Sequence, residues 1–332
     1  MKINILKNYI FLLIFAGFIS CNKENKLKTI EGNAIGTTFS IRYLDNSNIT
    51  YETKIDSIIK AVNKSVSTYI STSDISKINN GDTTVVIDAV FKTVFTKSSK
   101  IYVETDGVFD PTVGILVNAW GFGPEKPIEN LDSVKIKELL NFVGFNKVSL
   151  VHGKIKKVFP EIYFDFNAIA KGSLVDEVSK LFEANNIANY MVEIGGEIRA
   201  RGLNQNGEAW KIAIENPNID GTRSFMTTIQ LQNESMATSG NYRKYRIAED
   251  GKKYVHTINT KTGYATASNL LSASVISKSD CADVDGYATA FMAMGLEKTK
   301  DFLKIHSELK AFLIYANENG ELQTYKSANF DN

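Results

Sequence analysis

The strands that this sequence predicts come in adjacent pairs instead of alternating strictly with helices. Residues 30–43 contain a glycine-punctuated turn that runs into an alternating strand, and residues 190–194 form an apolar strand that ends at Gly195-Gly196. Strands that follow one another directly favour antiparallel sheet, whereas strict alternation with helices would favour parallel sheet. Nothing repeats at a fixed period, and no long linker divides the chain. We therefore expect an α+β fold with mainly antiparallel sheets flanked by helices, in a single large domain.

Helical periodicity predicts the elements that flank these strands. Apolar residues recur at helical spacing over residues 51–66 and 89–104. Further helices are predicted over residues 135–143, 283–294 and 296–306, and further strands over residues 210–215, 227–231, 271–276 and 310–315.

Residues 1–20 have the pattern of an export signal. Lys2 and Lys7 give a positively charged start, and residues 9–19 form an uncharged apolar run. The run is too short to cross a bilayer about 30 Å thick as a helix, and it has the length of a signal-peptide core. Residues 18–21 resemble a bacterial lipobox, in which the signal is cut before Cys21 and the thiol is lipidated. An ordinary cleavable signal with an incidental cysteine is the alternative.

These features divide the chain into three parts. We expect a lipoprotein signal peptide over residues 1–20, a polar tether over residues 21–29 and a folded domain over residues 30–328. The mature protein would be exported and held by the lipid on Cys21 at the inner (cytoplasmic) membrane, facing the periplasm.

Composition argues against several classes of function. The chain has 332 residues, a formal net charge of +1 and no basic tract, which argues against a nucleic-acid partner. Its three histidines have no second His or Cys nearby to complete a zinc site. With Cys21 used as the anchor, Cys281 is left without a disulfide partner. A hydrophobic core must therefore stabilise the fold, and a hydrophobic content of 43% is enough to form one.

Residues 165–176 are the first candidate for a functional site, because they combine a helix start with a lysine. The apolar residues 161–164 predict a short strand, and a helix is predicted to begin at about Asn167, a residue type suited to capping. The free N–H groups of a helix start favour an anion. Lys171 lies in or near that first turn, where a cation opposes the helix dipole by ~0.3–1 kcal/mol. A phosphate between Lys171 and the amides would explain this placement; a solvated lysine on a surface helix is the alternative.

Residues 281–290 are a second candidate, because Asp285 and Thr289 lie one helical turn apart on the same face. A carboxylate beside a hydroxyl offers the hard oxygen ligands that suit Mg²⁺. In the alternative interpretation, Thr289 bonds to its own helix backbone and Asp285 is solvated. The apolar neighbours of Thr289 favour a partly buried hydroxyl.

Three other segments could bring polar groups to a ligand. Residues 237–242 are small and polar, as in a turn that approaches a ligand closely. His256 stands in a predicted strand beside a turn, and an imidazole is the usual side chain for moving a proton near neutral pH. A single histidine without a visible partner is, however, more often structural. Asp110 precedes a proline, a position at which aspartate is commonly only a turn former.

Taken in order, these segments resemble the ApbE family of periplasmic flavin transferases, from about Ile30 to the C-terminus. Asn259-Thr260 stand where the family usually has a proline after an acidic residue, and Phe166-Asn167 replace a common pair of small residues. Ala288 stands where some relatives have a further acidic ligand. The segments that carry the resemblance are Gly36-Thr37-Thr38, residues 109–114 and 117–123, residues 165–172, Gly195-Gly196-Glu197, Thr238-Ser239-Gly240 and residues 285–289.

The resemblance implies an enzyme that transfers the FMN half of FAD to a Thr or Ser hydroxyl of a partner protein and releases AMP. The partner is commonly a subunit of a membrane redox complex. Mg²⁺ would be held by the Ala168 carbonyl, Asp285 and Thr289. Asp285 and His256 would be catalytic, His256 by handling the proton of the acceptor hydroxyl. The residues implied to contact the flavin and its phosphates are Ile35, Tyr69, Val108, Phe109, Asp110, Asp165, Lys171 and Ile258, with Tyr69 able to stack on the isoalloxazine ring.

Two other functions remain open at this point. Water could replace the acceptor hydroxyl, which would make the protein an FAD pyrophosphatase that yields FMN and AMP. A lipid-anchored protein could also bind flavin without any catalysis.

Overall fold

Strands and helices alternate irregularly along the chain. The computed structural model describes residues 26–217, 222, 224–241, 245–247, 253–255, 257–265 and 268–331. Within these residues the helices are α1 (Glu52–Val66), α2 (Asp74–Asn79), α3 (Ala89–Glu104), α4 (Gly114–Ala119), α5 (Ser133–Leu140), α6 (Ala170–Ala184), α7 (Cys281–Met294) and α8 (Leu296–Ile305). The strands are β1 (Leu27–Ala34), β2 (Thr37–Leu44), β3 (Val148–Val151), β4 (Lys154–Lys157), β5 (Tyr190–Ile194), β6 (Glu197–Arg201), β7 (Trp210–Glu215), β8 (Phe225–Leu231), β9 (Glu234–Gly240), β10 (Tyr245–Ile247), β11 (Lys253–Val255), β12 (Leu270–Ser277), β13 (Lys310–Ala316) and β14 (Leu322–Lys326).

The centre of the fold is an 8-stranded sheet in the order β1-β2-β5-β6-β9-β12-β13-β14. Each neighbouring pair in this sheet is antiparallel. The pairs β3–β4, β7–β8 and β10–β11 are separate antiparallel hairpins. The predicted α+β fold with mainly antiparallel sheet is therefore confirmed.

Two tight turns lie at the same end of the central sheet. The β1–β2 turn has positive φ at Ile35 (42°) and Gly36 (78°), and the β5–β6 turn has positive φ at Gly195 (63°) and Gly196 (100°). Two successive positive φ angles are the backbone of a type I′ hairpin, whose twist matches that of the strands. Because Phe39 pairs with Ile194, the start of β2 lies beside the end of β5.

The sheet is covered on both faces. On one face α6 and α7 pack against the sheet, and α1 and α3 pack against those two helices. The largest core cluster lies here and includes Ile41, Leu174 and Phe291. On the other face the β7–β8 hairpin packs its apolar residues against Ile198 and Met236. Both faces of the sheet are thus covered by apolar packing.

Several sequence predictions differ from the structure. Residues 161–164 do not form a strand, and only an isolated bridge joins Tyr163 to Val113. Helix α6 begins at Ala170 instead of Asn167, and no side chain caps it. Residues 237–240 belong to strand β9 and not to a turn. Strand β1 begins at Leu27, inside the segment expected to be a tether.

The predicted export signal and the lipidation site at Cys21 lie outside the described residues. Among the helices that the structure describes, none is long and apolar enough to cross a membrane.

Candidate active site

The starts of helices α6 and α7 meet in a close contact. A Cβ atom on Gly172 would lie 2.5 Å from the Cys281 carbonyl oxygen and 2.7 Å from the Ala282 Cα, so only glycine allows this approach. At this distance the Gly172 N–H donates a hydrogen bond to the Asp285 carboxylate, at 3.0 Å. Asp285 is 2% exposed, so the alternative of a solvated carboxylate is wrong. The two candidate segments, far apart in the sequence, therefore form one site.

Thr289 lies one turn beyond Asp285 on α7. It is half-buried, whereas residues 281–288 of the same helix are all buried. Its hydroxyl oxygen lies 3.2 Å from that of Ser239 on β9, in a hydrogen bond that either group can donate. The described bond of Thr289 thus runs to the sheet and not to its own helix, contrary to the alternative interpretation. Ala168 is also half-buried and lies two residues before α6 begins.

Lys171, in the first turn of α6, is not a solvated surface lysine. Its ammonium forms an ion pair with Glu197 at the start of β6. Burial acts to lower the pKa of Lys171, but the negative charges of Glu197 and Asp285 outweigh it and raise the pKa above its ordinary value. The lysine is therefore a fixed positive charge at the helix start, and its side chain keeps 30% of its surface exposed. The N–H groups of Ala170, Gly172 and Ser173 already donate to Phe166, Asp285 and Ile169, so the expected set of free helix N–H groups is largely used. The ammonium is the group here that suits a phosphate.

Asp165 and Tyr69 lie near each other. The Asp165 carboxylate accepts the Asn167 N–H at 2.7 Å, and its own N–H donates to the Pro111 carbonyl at 2.7 Å. Burial and the nearby Asp165 charge both raise the pKa of Tyr69. Nevertheless Tyr69 is 63% exposed, which leaves its ring accessible to a flat aromatic ligand. Stacking of Tyr69 on a flavin stays a prediction.

The described contacts of residues 108–110 are packing and hydrogen bonds to other residues of the fold. Phe109 is buried beside Gly286, where an added Cβ would lie 3.5 Å from the Phe109 ring. The Asp110 carboxylate accepts the Thr112 N–H at 2.8 Å, the Thr112 hydroxyl at 2.6 Å and the Phe145 N–H at 3.1 Å. Burial raises the pKa of Asp110 although these hydrogen bonds oppose it. Asp110 is therefore a turn former, and contact of residues 108–110 with a flavin stays a prediction.

Ile35 and Ile258 belong to different apolar clusters. Ile35 and Thr37 line a surface groove of about 530 Å³ between the β1–β2 turn and α1. Ile258 is 5% exposed and packs in a small cluster with Leu116 and Leu139. The structure leaves His256 outside the described residues, so its proposed catalytic role stays a prediction.

Comparison with known proteins gives the family of this chain and supports its fold. The family model described as the ApbE family matches residues 35–313. The chain belongs to the ApbE family. The chain is 38% identical over 322 residues to a Haemophilus influenzae protein named FAD:protein FMN transferase, covering 93% of this chain and 92% of the relative. A Vibrio cholerae protein with the same name is 36% identical over 330 residues, covering 96% of this chain and 95% of the relative.

Solved structures of the family have the same fold. The Flavin Transferase ApbE from Vibrio cholerae has a TM-score of 0.83 and 33% identity, covering 92% of this chain and 99% of that one. The apo form of the flavinyl transferase ApbE from Pseudomonas stutzeri has a TM-score of 0.82 and 28% identity, covering 92% of this chain and 96% of that one. The resemblance noted in the sequence is thus confirmed.

One departure from the family pattern has a local structural explanation. The Asn259 side chain accepts the N–H groups of Lys261 and Thr262, at 2.9 and 3.0 Å, which is an Asx turn. The Thr260 hydroxyl donates to the Gly107 carbonyl at 2.6 Å, and the Trp120 indole donates to the Gly263 carbonyl at 2.8 Å. Residues 259–263 are therefore held in place by hydrogen bonds.

The donor set at the start of α6 and α7 fits Mg²⁺ better than a soft metal. The described residues contain no group of three or more His, Cys, Asp or Glu side chains that could hold a metal. The residues that could act are the Asp285 carboxylate, the Thr289 hydroxyl and main-chain oxygens such as that of Ala168, all of them hard ligands. Mg²⁺ usually takes few protein ligands together with waters and substrate phosphates. Burial raises the pKa of Asp285, an effect that a bound cation would oppose.

Glu197 is the site residue that sequence reasoning missed. In the sequence it belongs to the Gly195-Gly196-Glu197 segment, for which the resemblance implies no role. Its carboxylate is 1% exposed, and burial raises its pKa although the Lys171 charge opposes the shift. A carboxylate at the start of a buried strand, directly after two glycines, was the available signal.

Proposed function

We propose that this protein is an FAD:protein FMN transferase. The observation that carries the proposal is the contact between Asp285 and Gly172, which sets a buried carboxylate beside a helix start and the Lys171 ammonium, in a chain of the ApbE family. A buried carboxylate and a fixed ammonium together suit a metal-bound dinucleotide, with the ammonium on its phosphates. The relatives named FAD:protein FMN transferase support FAD as the donor and a protein as the acceptor.

The reaction is a phosphoryl-type transfer with a simple balance. The oxygen of an acceptor Thr or Ser hydroxyl forms a bond to the phosphorus of the FMN half of FAD. The bond from that phosphorus to the bridging oxygen breaks, and AMP leaves with the electron pair. The hydroxyl proton passes to a base, for which we propose His256. Such a reaction needs chiefly positioning and charge neutralisation.

Different residues of this chain would position the substrate and neutralise its charge. The Lys171 ammonium would hold phosphate oxygens, and the exposed Tyr69 ring would stack on the isoalloxazine. The Ala168 carbonyl, Asp285 and Thr289 would hold Mg²⁺. When bound, Mg²⁺ neutralises the charge that develops on the departing phosphate.

The partner and the location complete the proposal. We propose that residues 1–20 direct export and that Cys21 carries a lipid, so that the domain stays at the inner membrane and faces the periplasm. An acceptor there would be a subunit of a membrane redox complex. The charge pattern of residues 1–21 supports this location.

The test is transfer of flavin to protein. The purified chain is incubated with FAD, Mg²⁺ and a candidate acceptor, and the acceptor is examined for flavin fluorescence in a denaturing gel. A labelled acceptor together with AMP supports the transferase, and Asp285→Ala should abolish the label. Free FMN and AMP formed without acceptor at a comparable rate would instead identify a pyrophosphatase. Intact FAD bound in stoichiometric amount would identify a binding protein.

A further inference from the structure

The Lys171 side chain passes through a gap that the β5–β6 turn leaves open. A Cβ atom on Gly195 would lie 3.2 Å from the Lys171 Cδ and 2.7 Å from the Thr37 Cγ2. The turn is closed by the Gly196 N–H, which donates to the Glu193 side chain at 2.7 Å. The next residue, Glu197, then returns into the sheet opposite Ile194 and meets the lysine ammonium. The turn therefore sets both the path of the lysine and the carboxylate at its end.

Stability alone does not account for this ion pair. Glu197 is 1% exposed, and its Oε2 has no hydrogen-bond partner among the described residues. A buried ion pair with incomplete hydrogen bonding recovers its desolvation cost poorly, and an apolar pair of similar volume often stabilises a fold as well or better. In addition, Lys171 opposes the dipole of α6. The arrangement instead fixes the position of a flexible side chain that keeps 30% of its surface exposed.

Lys171 has a second carboxylate within electrostatic reach. Gly172, the next residue, donates its N–H to Asp285 at 3.0 Å, so the backbone that carries the lysine lies directly against that carboxylate. Asp285 contributes to the raised pKa of Lys171. If Glu197 were neutral, Asp285 would be the remaining buried carboxylate, among the described residues, that acts on the ammonium. The ammonium would then compete with a divalent cation for Asp285.

We propose that Glu197 is a positioning residue, which holds the Lys171 ammonium at the edge of the site and so leaves Asp285 free for a divalent cation. The inference deepens the proposed function, because it assigns Glu197 a part in preparing the same site. It concerns metal affinity, which is measurable whether or not the protein transfers flavin.

The experiment is a titration of the purified full chain with Mn²⁺, without FAD, followed by electron paramagnetic resonance of the free ion. Glu197→Gln keeps the size of the side chain and removes its charge. We expect it to weaken Mn²⁺ binding by about tenfold, the scale at which groups behind a metal ligand affect affinity. The double variant Lys171→Gln/Glu197→Gln also removes the competing ammonium. It should bind Mn²⁺ within about threefold of the parent chain, because the two substitutions are coupled.

Three results would overturn the inference. One is unchanged Mn²⁺ affinity in Glu197→Gln, and another is a double variant that binds as weakly as the single one. Should Glu197→Gln fail to fold by circular dichroism, Glu197→Asp keeps the charge with a shorter reach. If Glu197→Asp binds Mn²⁺ as tightly as the parent chain, the reach of the side chain does not matter and Glu197 does not position Lys171. If the parent chain binds Mn²⁺ but transfers no flavin, the proposed function fails while the role of Glu197 is still measured.

Discussion

The Asp176 carboxylate on α6 accepts the main-chain N–H of Ala282 at 2.9 Å and thereby caps the first turn of α7. The same carboxylate accepts the Cys281 N–H at 2.8 Å, and the Arg199 guanidinium lies 3.5 Å away. Because Asp285 and Thr289 lie further along α7, this cap fixes the orientation of the helix that carries them relative to the start of α6.

The titration of Asp176 should make stability depend on pH. Burial, together with the nearby Asp280 charge, raises the pKa of Asp176 to about 7, although the two N–H groups and Arg199 oppose the shift. Because the pKa is higher in the folded chain than in the unfolded chain, this contribution is fully present below pH ~4 and is lost as the pH rises through ~7. At ~1.4 kcal/mol per pKa unit, the loss is at most about 4 kcal/mol. Urea unfolding between these pH values should therefore show a flatter profile for Asp176→Asn than for the parent chain.

The exposed Asp56 provides the control for that measurement. Asp56→Asn makes the same substitution at a position whose side chain is exposed, so it measures the effect of the substitution itself. Parallel profiles for the parent chain and Asp176→Asn would contradict the prediction.

Gly172→Ala should separate α6 from α7. The added methyl would lie 2.5 Å from the Cys281 carbonyl oxygen, so the helices must move apart and the bond from residue 172 to Asp285 must lengthen. We expect the free energy of unfolding to fall by about 1–3 kcal/mol, as for other overpacked sites. Flavin transfer should fall at least tenfold, about 1.4 kcal/mol in barrier. Lys180→Ala, an exposed change on the same helix, should leave both quantities unchanged.

The Thr289 hydroxyl should control the metal requirement of the reaction. Thr289→Val keeps the shape of the side chain and removes the oxygen, so the Mg²⁺ concentration for half-maximal transfer should rise by about tenfold or more. Thr289→Ser retains the oxygen and should stay within about threefold of the parent value. Ser239→Ala tests the neighbouring hydrogen bond alone. If Thr289→Val and Ser239→Ala shift the requirement equally, Thr289 acts through that bond and not on the metal.

The Tyr69 ring should contribute to FAD binding through its face. A stacked aromatic pair adds ~0.5–1.5 kcal/mol, so Tyr69→Ala should raise the KM for FAD by up to about tenfold. Tyr69→Phe keeps the ring and should change KM by less than about twofold. Ile70→Ala, at a neighbouring residue that is 38% exposed, serves as the control for local unfolding. Equal KM values for Tyr69→Ala and the parent chain would exclude stacking.

Local periodicity was enough to predict most elements of this fold. Helix α3 and strands β5 and β7 have the predicted bounds, because the spacing of their apolar residues is set within each segment. The start of α6 was predicted three residues early. There Asp165 binds the Asn167 N–H in a turn of its own, so Asn167 does not cap the helix. Capping residues also form turns, and sequence alone does not separate the two uses.

The sequence identified candidate site residues only where they belong to a recognisable motif. Asp285 and Lys171 stood out by residue type and spacing, but their meeting depends on Gly172, whose lack of a side chain is a tertiary requirement. The ion pair between Lys171 and Glu197 joins α6 to β6, a strand that lies between β5 and β9 in the central sheet. Sheet order is non-local, and no pattern within either segment encodes it.

The hydrogen bond from Gly172 to Asp285 joins residues that are 113 positions apart in the chain. During synthesis, α6 and its lysine are made well before α7, which brings Asp285, the carboxylate of the proposed metal site. Nascent or prematurely terminated chains would therefore lack the means to hold a metal–dinucleotide complex. Any activity of the proposed site would therefore have to await the synthesis of α7.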